Sequence, residues 1–284
     1  MKIYFHLSGR LGNQLFQWAY LHELVAQGFK VEIFVDKFHN DVNQIDLEKI
    51  LKVCKHLPPM KIRNNLGNVL RIAEKLGSLG KFFENLTKAL PIYVESMPLR
   101  KTNYIFPTIV EGYFIDKQWV VKHEGTLLSE LEDALATIPD DEFLKRVKGV
   151  NLQTTAHVRR GDFKLYRDTF GLLSKNYYLS CIEETKPLLV VTDSYSEAIS
   201  MFIERPNTTI VDPKIYDAWT ALKILSRSDR LIMSNSTLAW WGGFITHYLN
   251  NAEVIMPNPI YFKPSEFDEK LHLRGFTSAQ SIFE

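Results

Sequence analysis

The chain has 284 residues, 45% of them hydrophobic and 24% charged, with a formal net charge of +1. These are the values of an ordinary water-soluble globular protein of one large or two medium domains. A charge so near neutrality excludes a protein held to duplex nucleic acid by wholesale phosphate neutralisation. The two cysteines, Cys54 and Cys181, lie far apart and point to neither a disulfide framework nor a zinc site, which makes a reducing compartment the default expectation.

Met1 to Leu7 runs straight into a strand-like apolar stretch, too short for a signal-peptide core, and no segment is long and apolar enough to span a bilayer. The expectation is a cytoplasmic protein without a transmembrane anchor. Residues 3–7 read as a buried strand, Ser8-Gly9-Arg10-Leu11-Gly12-Asn13-Gln14 as a glycine loop, 15–26 as a helix closed at Gln27-Gly28, and 31–35 as the next strand. This is a βαβ unit with glycines where a helix N-terminus could face an anion. Its spacing departs from the dinucleotide fingerprint, so NAD binding is not read from it.

Residues 49–101 carry eleven Lys/Arg against Glu74, Glu84 and Glu95, leaving the rest of the chain acidic. Amphipathic helices with basic faces fit the pattern. Such faces are usually solvated; the functional reading is peripheral contact with anionic lipid at the inner membrane, or with a polyanionic acceptor. Residues 109–114 read as a strand and its exit, leading to Asp116, and 127–148 as a helix. Lys148-Gly149 is the expected boundary between residues 1–149 and 150–284.

The second half alternates strand and helix. Helices are expected over 174–186, 195–204, 216–227 and 244–250, and strands over 187–192, 208–212, 230–234 and 252–256. Repetition of this kind implies a parallel sheet covered on both faces. In such a sheet the strand carboxyl ends share one edge, where ligands bind. Three polar exits therefore converge: 157–162, 192–194 and 234–239.

His157-Val158-Arg159-Arg160-Gly161-Asp162 is the first of them. Guanidinium groups grip phosphate oxygens through paired hydrogen bonds and stay charged, which suggests a diphosphate site. A surface arginine pair bridged to carboxylates is the plain alternative. Asp193 could accept from a guanine edge or a ribose, or cap a helix. Ser236, Thr237 and the neighbouring amides could bind phosphate at a helix N-terminus, with Ser236 as an ordinary cap. Trp240 and Trp241 read as core aromatics.

GRLGNQLFQWA at 9–19, EGYF at 111–114, HVRRGD at 157–162 and SNSTLAWWGG at 234–243 resemble, in the same order, motifs of the bacterial α-1,2-fucosyltransferases of glycosyltransferase family 11. The arginine motif and the Gly-Asn-Gln loop are also similar to those of α-1,6- and protein O-fucosyltransferases. The resemblance implies a GT-B fold of two Rossmann-like halves facing a cleft, the first mainly for acceptor and the second for donor. It implies GDP-L-fucose as donor, no cofactor and no required metal. Arg159 would act on the β-phosphate, supported by Arg160 and Asp162. His157, Asp193 and Ser194 would lie near the nucleoside, and Ser236, Thr237 and Leu238 would hold the diphosphate. Gly9, Arg10, Gly12 and Asn13 would approach the donor, while Asn13, Tyr113 and Asp116 would meet the acceptor. Thr192-Asp193-Ser194 stands where the α-1,2 enzymes usually show Ser-Asp-Asp.

The implied reaction is an inverting transfer of L-fucose to a galactoside hydroxyl, in α-1,2 linkage, within a surface or lipid-linked glycan such as O-antigen. It requires a general base, for which Asp162, Asp116 and Glu111 are candidates, although Asp162 reads better as an orienter of the arginines. Transfer of another GDP-deoxysugar such as colitose, a non-catalytic nucleotide- or glycan-binding protein, and an NAD-type oxidoreductase are the alternatives.

Overall fold

The structure, a computed structural model, describes residues 2–34, 46–54, 57, 108–140, 154–263 and 265–284. The chain divides into two compact units, Met1–Ala134 and Leu135–Glu284. The boundary expected at Gly149 and residues 58–101 of the basic stretch lie outside the described residues.

In the first unit, β1 (Lys2–His6) is the middle strand of a parallel sheet, between β2 (Lys30–Phe34) and β3 (Thr108–Val110). The connecting helix α1 spans Leu11–Ala26, four residues longer at its start than expected, so Gly12 and Asn13 belong to its first turn. It is buried almost all round, from Leu11 to Leu24 except Asn13, which is why its apolar residues do not confine themselves to one stripe. Tyr20 stacks on Phe114 with ring centroids 4.1 Å apart, joining α1 to the exit of β3. Helices α2 (Glu48–Val53), α3 (Lys117–Lys122) and α4 (Glu124–Ala136) complete this unit apart from the last two residues of α4. The helix expected over 127–148 starts earlier and this one ends at Ala136, while residues 141–148 lie outside the described residues. Pro139 accounts for the end, because proline disfavours helical backbone at the residue before it.

The second unit follows the predicted alternation. Its elements are β4 (Thr154–Val158), α5 (Arg167–Phe170), α6 (Lys175–Cys181), β5 (Leu188–Thr192), α7 (Tyr195–Phe202), β6 (Thr208–Ile210), α8 (Ala218–Leu225), β7 (Arg230–Ile232), α9 (Thr237–Asn250), β8 (Glu253–Asn258), α10 (Phe267–Leu271) and β9 (Thr277–Gln280). Helix α6 stops at Cys181, short of the expected 186. Helix α9 starts at Thr237, seven residues before the expected 244. Gly242 and Gly243 do not break it. A Cβ on Gly242 would come within 2.7 Å of Leu225, and one on Gly243 within 2.9 Å of Val254, so both glycines let α9 press onto α8 and β8. Trp240 and Trp241 are buried as expected, with the Trp240 indole donating to the Leu271 carbonyl at 2.7 Å.

All the strands of the second sheet run parallel, in the order β6-β5-β4-β7-β8-β9. The chain lays three strands outward from β4, then returns to β4's other side and lays three more. This is the doubly wound order, and its ligand crevice lies where the order reverses, outside the carboxyl ends of β4 and β7. Beneath it, β4 and β5 are buried along their whole length, packed with Tyr177, Tyr178, Ala198 and Phe202.

Candidate active site

The three polar exits follow β5, β4 and β7, which are neighbours in the sheet. His157 is the fourth residue of β4, and its imidazole Nδ1 lies 2.7 Å from Ser234 Oγ, just past β7. It is 4% exposed. Burial pushes its pKa down to about 4; Asp193 acts against that shift and Arg159 adds to it, so the ring is neutral near pH 7.

The paired arginines have separate tasks. Arg159 is 18% exposed at its side chain, with one terminal nitrogen 2.5 Å from Asp162 Oδ1, the other 3.0 Å from Asp193 Oδ2, and the Phe163 ring 5.3 Å away. Two carboxylates and an aromatic face thus hold one guanidinium at the switch point, and its buried Nε has no hydrogen-bond partner among the described residues. Arg160 points into the protein. Its guanidinium lies 2.6 Å from Glu284 Oε1 and 3.1 Å from Glu197 Oε2, and it donates to the Leu173 carbonyl at 3.3 Å. At 5% exposure it is a strut between loop, helix and chain end. Its own backbone N–H donates to Asp193 Oδ1 at 2.8 Å.

Asp193 is therefore the hinge of the cluster, with one oxygen on the Arg160 backbone and the other on the Arg159 side chain. It does not cap α7; Ser194 holds that position, and the Ser194 hydroxyl donates to Glu197 at 3.1 Å. Gly161 explains how the carboxylate fits. A Cβ there would stand 2.4 Å from Asp193 Oδ2, so any side chain at 161 would expel it. Asp162 opens a 3-10 turn, and its Oδ1 accepts from the Arg159 guanidinium.

Across the switch point, Ser236 caps α9, its hydroxyl accepting from Leu238 N at 3.2 Å. Ser236, Thr237 and Leu238 are half-exposed at the start of a fourteen-residue helix, whose dipole favours an anion. Asn235 ties this loop down by donating to the Phe170 and Gly171 carbonyls at 2.9 and 3.2 Å.

The first-unit residues lie together by themselves. Gly9 has φ +75°, and a Cβ on it would meet Tyr113 Cε1 at 2.8 Å and Asn13 at 3.0 Å. The loop therefore closes onto two of the three residues expected to meet the acceptor, Asn13 and Tyr113. Tyr113 is 45% exposed, and Arg10 is exposed at the start of α1. Asp116 is a cap of α3, taking Gln118 N at 2.9 Å and Gln118 Nε2 at 2.7 Å on its two oxygens. Glu111 pairs with His6 Nδ1 at 3.0 Å.

Several supports were not visible as such in the sequence. Ser234, Glu197 and Glu284 hold the arginine motif. Gln14 Nε2 donates to the Gly9 carbonyl at 2.7 Å, and Gln17 Nε2 to the Gly112 carbonyl at 2.8 Å. The Tyr216 hydroxyl donates to the Thr192 carbonyl and accepts from Thr192 N at 3.1 Å, pinning the exit that carries Asp193. Among these, only Gln14 and Gln17, polar residues set among the apolar residues of α1, offered a signal.

A doubly wound sheet with an arginine and a helix N-terminus at its switch point is built for a nucleotide phosphate. No protein-family model matches the chain. The O-antigen biosynthesis glycosyltransferase WbnK of Escherichia coli is 25% identical over 287 residues, covering 87% of this chain and 91% of that protein. The E. coli heptosyltransferase WaaC with ADP superposes with a TM-score of 0.50 at 8% identity, covering 99% of this chain and 93% of the other. This is a glycosyltransferase fold. A looser likeness, TM-score 0.42 at 12% identity over 86% and 92% of the two chains, is to NodZ α-1,6-fucosyltransferase soaked with GDP-fucose. The fold is of the GT-B type, and the sequence relative is a glycosyltransferase.

Proposed function

We propose that this glycosyltransferase moves L-fucose from GDP-L-fucose to a galactoside hydroxyl in α-1,2 linkage, in the synthesis of an O-antigen-type surface glycan. The observation that carries the reading is Arg159, set at the β4–β7 reversal between Asp162 and Asp193. The four ordered motifs and the O-antigen relative support the sugar and the setting.

When the bond from the anomeric carbon to the GDP β-phosphate oxygen breaks, its electron pair stays on GDP. A guanidinium already oriented by two carboxylates stabilises that charge more in the transition state than in the ground state. The N-terminal dipole of α9 adds favourable charge on the other side of the crevice. On this reading protein groups meet the developing charge, and the transfer requires no metal. The neutral His157 and Asp193 then serve the nucleoside side as wall and hinge, and Arg160 serves through the backbone it holds. The acceptor hydroxyl must lose a proton as it attacks. Asp162, Asp116 and Glu111 are the candidate bases, each already hydrogen-bonded to a neighbouring group.

Transfer with GDP-L-fucose and a galactoside in EDTA tests the proposal, and inversion is read from the product anomer. Absence of turnover together with absence of GDP binding by calorimetry would overturn it. Transfer of a different GDP-deoxysugar is the second reading, because a grip on the diphosphate does not read the sugar. A panel of GDP-sugars separates the two.

A further inference from the structure

The first unit packs three metal-ligating side chains against one another, away from every residue assigned above. His22 on α1, Cys54 directly after α2 and Glu130 on α4 are each less than a tenth exposed. His22 Nε2 lies 3.0 Å from Glu130 Oε2, Cys54 Sγ 3.1 Å from Glu130 Oε1, and Cys54 Sγ 4.0 Å from His22 Nε2. All the ligating atoms fall within 4.8 Å of one another.

A zinc-class ion binds imidazole nitrogen, carboxylate oxygen and thiolate sulfur at about 2.0–2.3 Å, so tetrahedral angles set neighbouring ligand atoms roughly 3.3–3.7 Å apart. His22 and Cys54 contact different oxygens of Glu130, so a cation among the three side chains meets both carboxylate oxygens, with donor spacings of 3.0, 3.1 and 4.0 Å around that range. A buried hydrogen-bonded carboxylate explains part of the cluster, since the Trp18 indole also donates to Glu130 Oε2 at 3.1 Å. It does not explain the sulfur. A thiol is a weak donor, and a hydroxyl would satisfy the carboxylate better, whereas a thiolate is a strong ligand for a borderline-soft cation. Trp18 then holds the ligating carboxylate from outside, as outer partners of metal ligands do.

We propose that His22, Cys54 and Glu130 bind one divalent zinc-class cation, which clamps α1, the segment after α2 and α4 together. On binding, the Cys54 S–H bond gives way to a sulfur–metal bond and the proton leaves to solvent. The role is structural, and the sugar-transfer step above does not use it.

The test is metal analysis of the purified full-length chain after expression with zinc. One zinc per chain is expected, with a Tm raised by added zinc and lowered by a chelator. After chelation, cobalt should give sulfur-to-cobalt charge-transfer absorption, which Cys54→Ser abolishes together with zinc retention. Zinc well below one per chain, with a Tm indifferent to zinc and chelator, would overturn the proposal, as would full zinc retention by Cys54→Ser. If that variant does not fold, the metal content and chelator response of the unaltered chain decide alone. GDP binding belongs to the second unit, so the fucosyl-transfer reading and the metal site can fail separately.

Discussion

Arg159 and Arg160 are adjacent and chemically identical, yet their surroundings divide their work. Arg159→Ala removes a guanidinium from the crevice without emptying the core. The expected outcome is a fold close to the original with kcat/KM lower by about 2–4 kcal/mol in barrier, the size of a single oxyanion-donor loss. Arg160→Ala leaves Glu197 and Glu284 facing a hole, and losing one partner of a buried pair costs about 3–5 kcal/mol, less here because Glu284 is 42% exposed. Its Tm should fall while GDP affinity, measured below that Tm, stays near that of the original protein. Titration calorimetry beside thermal melts distinguishes the pair.

His157 carries a pH prediction at the same scale. Its folded pKa of about 4 lies below the unfolded value near 6.5, so between these values the unfolded chain binds the extra proton. Stability from this residue is complete above pH 6.5 and lost as pH falls toward 4, by about 2 kcal/mol between pH 7 and pH 5. Urea midpoints at the two pH values should show that loss, and His157→Gln should remove this share of it.

At the scale of elements, glycines decide how closely helices and exits approach. Gly161→Ala places a methyl group on the Asp193 carboxylate, so the hinge of the cluster must open. Activity should fall as in Arg159→Ala, with only a modest change in Tm because 161 lies in an exposed turn. Gly242→Ala acts oppositely, on stability. Helix propensity would favour alanine by about 1 kcal/mol, but the new Cβ meets Leu225 at 2.7 Å in a packed interface, and overpacking costs about 1–3 kcal/mol. The expected net result is destabilisation, read as a lower urea midpoint. Sequence alone places this helix over 244–250 while offering Ser236 as a cap, and only the facing residues show why the helix accommodates Gly242 and Gly243.

At the scale of the molecule, no helix among the described residues is long and apolar enough to cross a membrane. The proposal of peripheral attachment therefore rests on the eleven Lys/Arg within 49–101. Flotation with anionic liposomes should bring the protein up at low salt and release it as salt screens the charges. Binding equal on neutral and anionic vesicles, or none, would leave the basic faces simply solvated.

The motif residues, the alternation of strand and helix and the convergence of three polar exits were legible in the sequence, because periodicity and punctuation are local. The fucosyltransferase resemblance added a chemistry to them. What only the tertiary structure decided depends on partners far away in the chain. The reversal of strand order put β7 beside β4. The arrival of Glu284 and Glu197 turned Arg160 inward, and the bulk of Asp193 made Gly161 a requirement. The meeting of Cys54 with His22 and Glu130, separated by 32 and 76 residues, made a cluster of side chains that show no ligand spacing in sequence. Local pattern encodes which elements form. Which side chain is left to face a ligand is set by what else reaches it across the fold.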